Sequence, residues 1–253
     1  MEMSLQRASV WKRFAAWLLD AILVCVLSVG VAFLLSMLFG FDSRLEKLTA
    51  SYERYEQEWG ITFNISEAEY NELSDEEKEN YKNASEALEK DTEVIVLYNE
   101  VINLALLTIG ISLLVSIMIL EFAVPLIFKN GKTIGKLLFS ICLSRPDHVK
   151  VSVFQLFVRA LLGKYTLETM LPIYIIMLTL FGSIGSIGTL VLIVFFGVQL
   201  VIFSASRNGT FIHDLIAATV CVDYSAQKIF DSPEALLEYQ KALHRESAQN
   251  SDY

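Results

Sequence analysis

Apolar and polar positions along this chain fall into long blocks rather than a fine alternation. From Ala21 to Phe41 no charged residue occurs, and an unbroken apolar run of that length can cross a hydrocarbon core. A second block runs from Val101 to Leu120, is interrupted by Glu121, and continues as "FAVPLIF" to Phe128 before Lys129. The third, Thr169 to Ala205, is uncharged over 37 residues; as one helix it would be about 55 Å long, against a core of about 30 Å. It is predicted to double back at "GSIGSIG", Gly182 to Gly188, where glycine and serine favour a turn. The pattern therefore predicts an all-α integral membrane protein with four transmembrane helices.

The polar blocks have their own periodicity. Between Asp42 and Glu93, "SEAE" from Ser66 and "SDEE" from Ser74 are capping-box patterns, and Leu45, Leu48, Tyr52 and Tyr55 recur on one helical face. Two helices with a turn near Trp59-Gly60 are expected in this insertion. Between residues 129 and 164 lies a basic segment expected to be a loop, with β-branched residues around Arg145-Pro146-Asp147. "ATVCVDY" after Ala218 has the same texture, so a small β element is expected there. Within the tail, residues 225–253, Ser232-Pro233 opens a helix with Leu236, Tyr239 and Leu243 on one face.

Composition sharpens the picture. The chain has 253 residues, 54% hydrophobic and 19% charged, and its mean hydropathy is +0.47, values of a membrane protein rather than a soluble domain. Net charge is −9, and residues 42–93 hold 16 acids against 6 bases. That segment reads as a solvated acidic extracellular insertion. With four spans the termini share a side, and the basic residues concentrate before the first span, between residues 129 and 164, and after residue 205. Both ends are expected to be cytoplasmic in a cell membrane. No basic tract suited to nucleic acid is present. The three cysteines, Cys25, Cys142 and Cys221, have no disulfide or metal spacing. Basic residues before the first apolar run resemble a secretory leader, but the run is too long, so an uncleaved span is expected.

Charged residues inside or beside the apolar blocks are the candidate chemistry. Arg13 and Asp20 are two helical turns apart and share a face. Glu121 precedes Lys129 by eight residues, which predicts a depth similar to that of Asp20. Carboxylates at such depth are costly, by a few kcal/mol, and need partners; Arg13, Arg159, Lys132 and Lys136 are candidates. Two readings stay open: a buried salt-bridge cluster that fixes packing, or a proton- or cation-binding site. "GKTIGK", Gly131 to Lys136, is not a phosphate loop, because Leu126 stands where the leading glycine belongs. Gly131 and Gly135 instead suit a close helix approach or a plain turn. His213 and Asp214 follow an Asn208-Gly209 turn; His213 lacks metal-ligand company, and the pair is expected to cap the adjoining segment, with Asp214 free to bind Arg13, Arg159 or Lys136. No nucleophile-and-base pattern is present, so no enzyme and no cofactor are expected.

Taken jointly and in order, "WKRFAAWLLDAIL", "EFAVPLIFKNGKTIGKLLFSICL", "VFQLFVRALL" and "RNGTFIHDLIAATVCV" resemble the RDD family of bacterial membrane proteins, named for one arginine and two aspartates. The likeness covers residues 7 to 41 and about 110 to 223. It implies that Arg13, Asp20 and Asp214 are the three name-giving positions and that Glu121, Gly131, Thr133, Gly135, Lys136 and Arg159 are recurring ones. The insertion is longer than the family leads one to expect, and Phe139-Ser140 replaces a more usual leucine-glycine pair. The family implies a transporter, with sodium/proton antiport proposed for some members. Four spans supply no large inverted repeat, so a homo-oligomer exchanging a monovalent cation for a proton is one expectation. A scaffold with an unknown membrane partner is the other.

Overall fold

In the computed structural model, which describes residues 5–180, 182, 184–206, 209–225 and 227–251, the elements in chain order are α1 (Val10–Phe39), α2 (Phe41–Trp59), α3 (Glu67–Glu72), α4 (Asp75–Lys90), α5 (Thr92–Phe128), α6 (Ile134–Leu138), β1 (Ile141–Ser144), α7 (Val153–Leu180), α8 (Ser186–Ala205), α9 (Ile212–Ile216), β2 (Val220–Asp223) and α10 (Pro233–Ser251). Among the described residues four helices, α1, α5, α7 and α8, are long and apolar enough to cross a membrane. Their outward positions carry large apolar side chains: Val26 is 68% exposed and Leu200 is 64% exposed. Such surfaces suit contact with lipid. The chain is an all-α multi-pass membrane protein with a small β element.

The third span corrects the expected boundary. It begins at Val153, not Thr169, so residues 153–164 belong to the helix rather than to a basic loop. A capping box starts it, with the Ser152 hydroxyl accepting from the Gln155 amide and the Gln155 side chain accepting from the Ser152 amide. The expected turn at Gly182–Gly188 joins α7 to α8: Gly182 (φ 71°) and Gly185 (φ 50°) adopt the left-handed backbone that glycine permits. Residues 181 and 183 of this turn, and Arg207-Asn208 of the expected Asn-Gly turn, lie outside the described residues.

Two of the spans are locally widened. Met118–Ala123 of α5 and Arg159–Met170 of α7 are π-helical, bonded i→i+5. A proline follows each stretch. Pro125 and Pro172 lack an N–H, and each ring would crowd the carbonyl four residues earlier, that of Glu121 and of Glu168. Widening is one way for a helix to accommodate that clash.

The chain divides into two compact units. One comprises residues 29–112, wider than the expected 42–93 insertion. Its helices α2, α3 and α4 include one more than expected, since α3 is a separate short helix. Both predicted capping boxes form, at Ser66 and Ser74. Gly60 ends α2 in the left-handed conformation (φ 63°). Leu48, Leu88, Val94 and Val101 make the core, with Tyr52 and Tyr55 against it, whereas Leu45 is exposed rather than packed. Asp91 ties the unit together, accepting from the Tyr55 hydroxyl (3.0 Å) and the Glu93 amide (2.9 Å).

The other unit comprises residues 1–28 and 113–253. Strands β1 and β2 pair antiparallel, Ile141 opposite Asp223 and Ser144 opposite Val220. Alternation sends Ile141, Leu143 and Cys221 to one apolar cluster, with Ala8, Ala16 and Leu156, and sends Cys142, Val220 and Val222 to the other. In α10, Tyr239 packs on Phe230, ring centroids 5.2 Å apart.

Candidate functional site

The chain between α5 and β1 folds into a short helix because Thr133 caps it: the Thr133 hydroxyl accepts from the Lys136 amide (3.2 Å). The same hydroxyl donates to Asp20 Oδ2 (2.5 Å), and the Gly135 amide donates to Asp20 Oδ1 (2.8 Å). Asp20, 5% exposed on α1, thus sits at the N-terminal end of α6, where amide donors favour a carboxylate. Gly135 makes this approach feasible. A Cβ there would lie 2.9 Å from Asp20 Oδ1 and inside the van der Waals envelope of the Ala16 carbonyl. Of the two readings open for the glycine pair, Gly135 is the close approach, while Gly131 (φ 62°) forms the turn, its α-carbon against Leu143.

Lys136 links two acids. Its Nζ is 3.9 Å from Asp20 Oδ2 and 3.8 Å from Glu121 Oε2. Burial depresses the basicity of Lys136 and the facing Glu121 opposes that effect. Glu121, on the widened turn of α5, also accepts from Arg159 Nη1 (3.2 Å) and from Lys164 Nζ. Arg159 in turn donates through Nε to Asp214 Oδ1 (2.9 Å). The Thr219 hydroxyl, 3.1 Å away, donates to the same oxygen. Asp214 lies in α9, and although burial pushes its carboxyl up, His213 and Arg159 hold it well below the ordinary carboxylate range.

His213 closes the network. Its Nδ1 is 2.5 Å from Glu168 Oε1 and its Nε2 is 3.4 Å from Asp214 Oδ2. The α9 backbone reaches α7 at Gly163, where any Cβ would collide with His213 Cβ and Cα. Ring stacking on Phe211, centroids 6.0 Å apart, fixes the imidazole plane. The chain of contacts runs unbroken through Glu168, His213, Asp214, Arg159, Glu121, Lys136 and Asp20. Glu121, Arg159 and Asp214 are each 2% exposed, so nearly all of this charge is withdrawn from solvent.

Of the expected residues, Asp20, Glu121, Thr133, Gly135, Lys136, Arg159, His213 and Asp214 converge here. Arg13 does not. It shares a helical face with Asp20 but lies two turns away. It donates to the Gly209 carbonyl (2.5 Å) and covers the rings of Phe203 and Phe211, so it pairs with neither Asp20 nor Asp214. Lys132 is also elsewhere, over the Tyr224 ring at 3.3 Å. His213 and Asp214 do not cap α9 from outside: they lie within it, and its N-cap, Phe211, offers no side-chain bond.

Two members were missed, Lys164 and Glu168. In an α-helix at about 3.6 residues per turn, position i+9 falls two and a half turns along, on the opposite face. In an i→i+5 helix of about 4.4 residues per turn it falls two turns along, on the same face. The π stretch therefore turns Glu168 toward the face that carries Arg159, where it meets His213, a placement no α-helical wheel predicts. The available signal was the repeated string Glu-x-x-x-Pro, "EFAVP" and "ETMLP", in two spans.

Among the described residues no group of three or more His, Cys, Asp or Glu side chains is arranged to hold a metal ion. A comparison with family models matches the RDD family over residues 7–218. No curated protein and no solved structure matches the chain.

Proposed function

The chain belongs to the RDD family, and from that premise we propose that it is a cation/proton transporter working through its buried carboxylate-arginine cluster. One observation carries the proposal. Four carboxylates, Asp20, Glu121, Glu168 and Asp214, share a network with three basic side chains, Lys136, Arg159 and Lys164, counted here as charged. With His213 neutral, one negative charge is left over in a low-dielectric site, where an unpaired charge costs several kcal/mol. One proton or one monovalent cation balances it; a divalent ion overshoots. Alternation between those two occupants is cation/proton exchange. The protein is not an enzyme and uses no cofactor on this reading. Both termini are cytoplasmic, in keeping with the Lys and Arg distribution, and the bilayer and a second copy of the chain are its partners.

The test is reconstitution into vesicles with a pH-sensitive dye inside and sodium, potassium or lithium added outside. Cation-dependent proton movement that Glu121→Gln abolishes is the expected result. Wild-type vesicles that move no protons with any of the three cations overturn the proposal. A second reading, a membrane scaffold with a purely structural cluster, is favoured by Asp20, whose oxygens are engaged by a hydroxyl and a backbone amide as well as by Lys136. It predicts that Asp20→Asn lowers thermal stability in a protein that shows no flux.

A further inference from the structure

We propose that the exchangeable proton is held at the Glu168–His213 pair, at the α7–α9 contact, and not at Asp20. The proposal rests on the cation/proton reading above and narrows it to one location.

Three observations lead there. First, the other three carboxylates are committed. Asp20 has the Thr133 hydroxyl and the Gly135 amide. Glu121 has Arg159, Lys164 and Lys136. Asp214 has Arg159 and Thr219. Protonating any of them weakens a bond to a basic side chain, a hydroxyl or a backbone amide. Among the described ion pairs Glu168 is instead joined to His213, through Nδ1. Second, imidazole is the one side-chain type whose charge ordinarily changes near neutral pH. Loading and unloading His213 switches the cluster between neutral and −1 while the pairs of Arg159 with Glu121 and Asp214, and of Lys164 with Glu121, stay in place. Third, access is greatest at this end. The Glu168 side chain is 20% exposed, against 6% for Asp20 and 2% for Glu121 and Asp214.

The surroundings of His213 fit a bound proton. Two carboxylates face it and favour that proton, Glu168 from α7 and Asp214 from its own helix; Arg159 and Lys164 of α7, the cations that act on Glu168 and oppose it, are themselves paired with Asp214 and Glu121. Phe211 is stacked on the ring, and Arg13 of α1 lies 5.8 Å from the Phe211 centroid. A protonated imidazole donates from Nδ1 to Glu168 and points Nε2–H at Asp214. When the proton leaves, one positive charge departs and one monovalent cation restores neutrality, so charge balances at one proton per cation. Gly163 and the widened Arg159–Met170 stretch set this geometry, the first by admitting α9 and the second by turning Glu168 toward it.

The experiment uses the full chain and has two readouts. In detergent, potentiometric titration between pH 8 and pH 5 compares wild type with His213→Lys, which keeps a fixed positive charge against Glu168, and with Glu168→Gln. Wild type is expected to take up one proton more than His213→Lys, and the Glu168→Gln curve to be displaced. In vesicles, both variants are expected to lose at least tenfold in cation-dependent proton movement while their melting temperatures stay close to wild type. Absence of flux from wild type, with the proton difference present, defeats the transporter reading alone. Equal proton uptake by wild type and His213→Lys defeats the present proposal, as does wild-type flux kept by His213→Lys. If His213→Lys fails to fold, Glu168→Gln decides by the same flux and titration criteria.

Discussion

Replacing Gly135 by alanine tests the contact between α1 and α6 on which the position of Asp20 depends. An alanine Cβ would lie 3.0 Å from the Ala16 carbonyl carbon and nearer still to its oxygen. These are backbone atoms in the middle of a helix, with no rotamer to relieve the overlap. To restore a van der Waals separation α6 must retreat by roughly 1 Å. The Gly135 N to Asp20 Oδ1 distance, now 2.8 Å, then passes the limit of a hydrogen bond, and the Thr133 bond lengthens with it. Each bond to a carboxylate contributes about 1.5–3 kcal/mol, so the lower bound for losing both is about 3 kcal/mol. In a chain of this size that is a fall of about 6–12 °C in melting temperature. Gly30→Ala is the control, since a Cβ there meets nothing within 4 Å. It is expected to leave the midpoint unchanged or slightly raised, as helical glycine costs up to about 1 kcal/mol against alanine. Melting in detergent, followed by tryptophan fluorescence, separates the two. A Gly135→Ala midpoint within 2 °C of wild type would refute the claim that this approach is rigid.

Lys136→Met removes the ammonium shared by Asp20 and Glu121 and is expected to destabilise by about 3–5 kcal/mol; adding Glu121→Gln should recover part of the loss, and strict additivity in that double-mutant cycle would show that the two do not interact. Because Asp214 titrates below its unfolded value, its stabilisation is complete above about pH 5 and is lost as pH falls below about 4 toward the folded value. Asp214→Asn should therefore melt lower at pH 7 and show a shallower acid-side decline; an unchanged decline would contradict the assignment. Burial pushes the Cys142 thiol up to about 12, and that of Cys221 upward too, so neither should react with maleimide at pH 7 until the protein is denatured. Rapid labelling of either in the folded protein, read by mass spectrometry, would show that the β1–β2 packing opens.

Three of the four spans were legible because each carries a long apolar run, that of α5 broken only by Glu121. The start of the other, α7, was misplaced for a physical reason. Arg159 and Lys164 stand within it, and a hydropathy reading assigns such charges to water, whereas here they face carboxylates from α5 and α9. The convergence of Asp20, Glu121 and Arg159 could be anticipated, because acids at that depth require partners. The role of Arg13 could not: its partners are a backbone carbonyl and two ring faces, neither of which leaves a trace in residue spacing. Glu168 was hidden by the assumption of an α-helical period, and the short α3 by its being only a single capped turn and a half.

The π-helical stretch of α7 bears on the choice between architecture and exchange. An i→i+5 helix is rare beyond a single turn, and twelve consecutive residues adopt it here. An acid needed only to help neutralise Arg159 could stand four residues after it, on the same α-helical face and with no strain. The chain places Gly163 at that position. The glycine carries no charge and removes the Cβ that would exclude His213. The acid comes instead at position 168, within the widened stretch and beside the imidazole. Both departures from the cheapest helix serve the same ring. Pro172 gives the widening one architectural cause; the placement of Glu168 against His213 is a second consequence of it, and the one the exchange proposal uses.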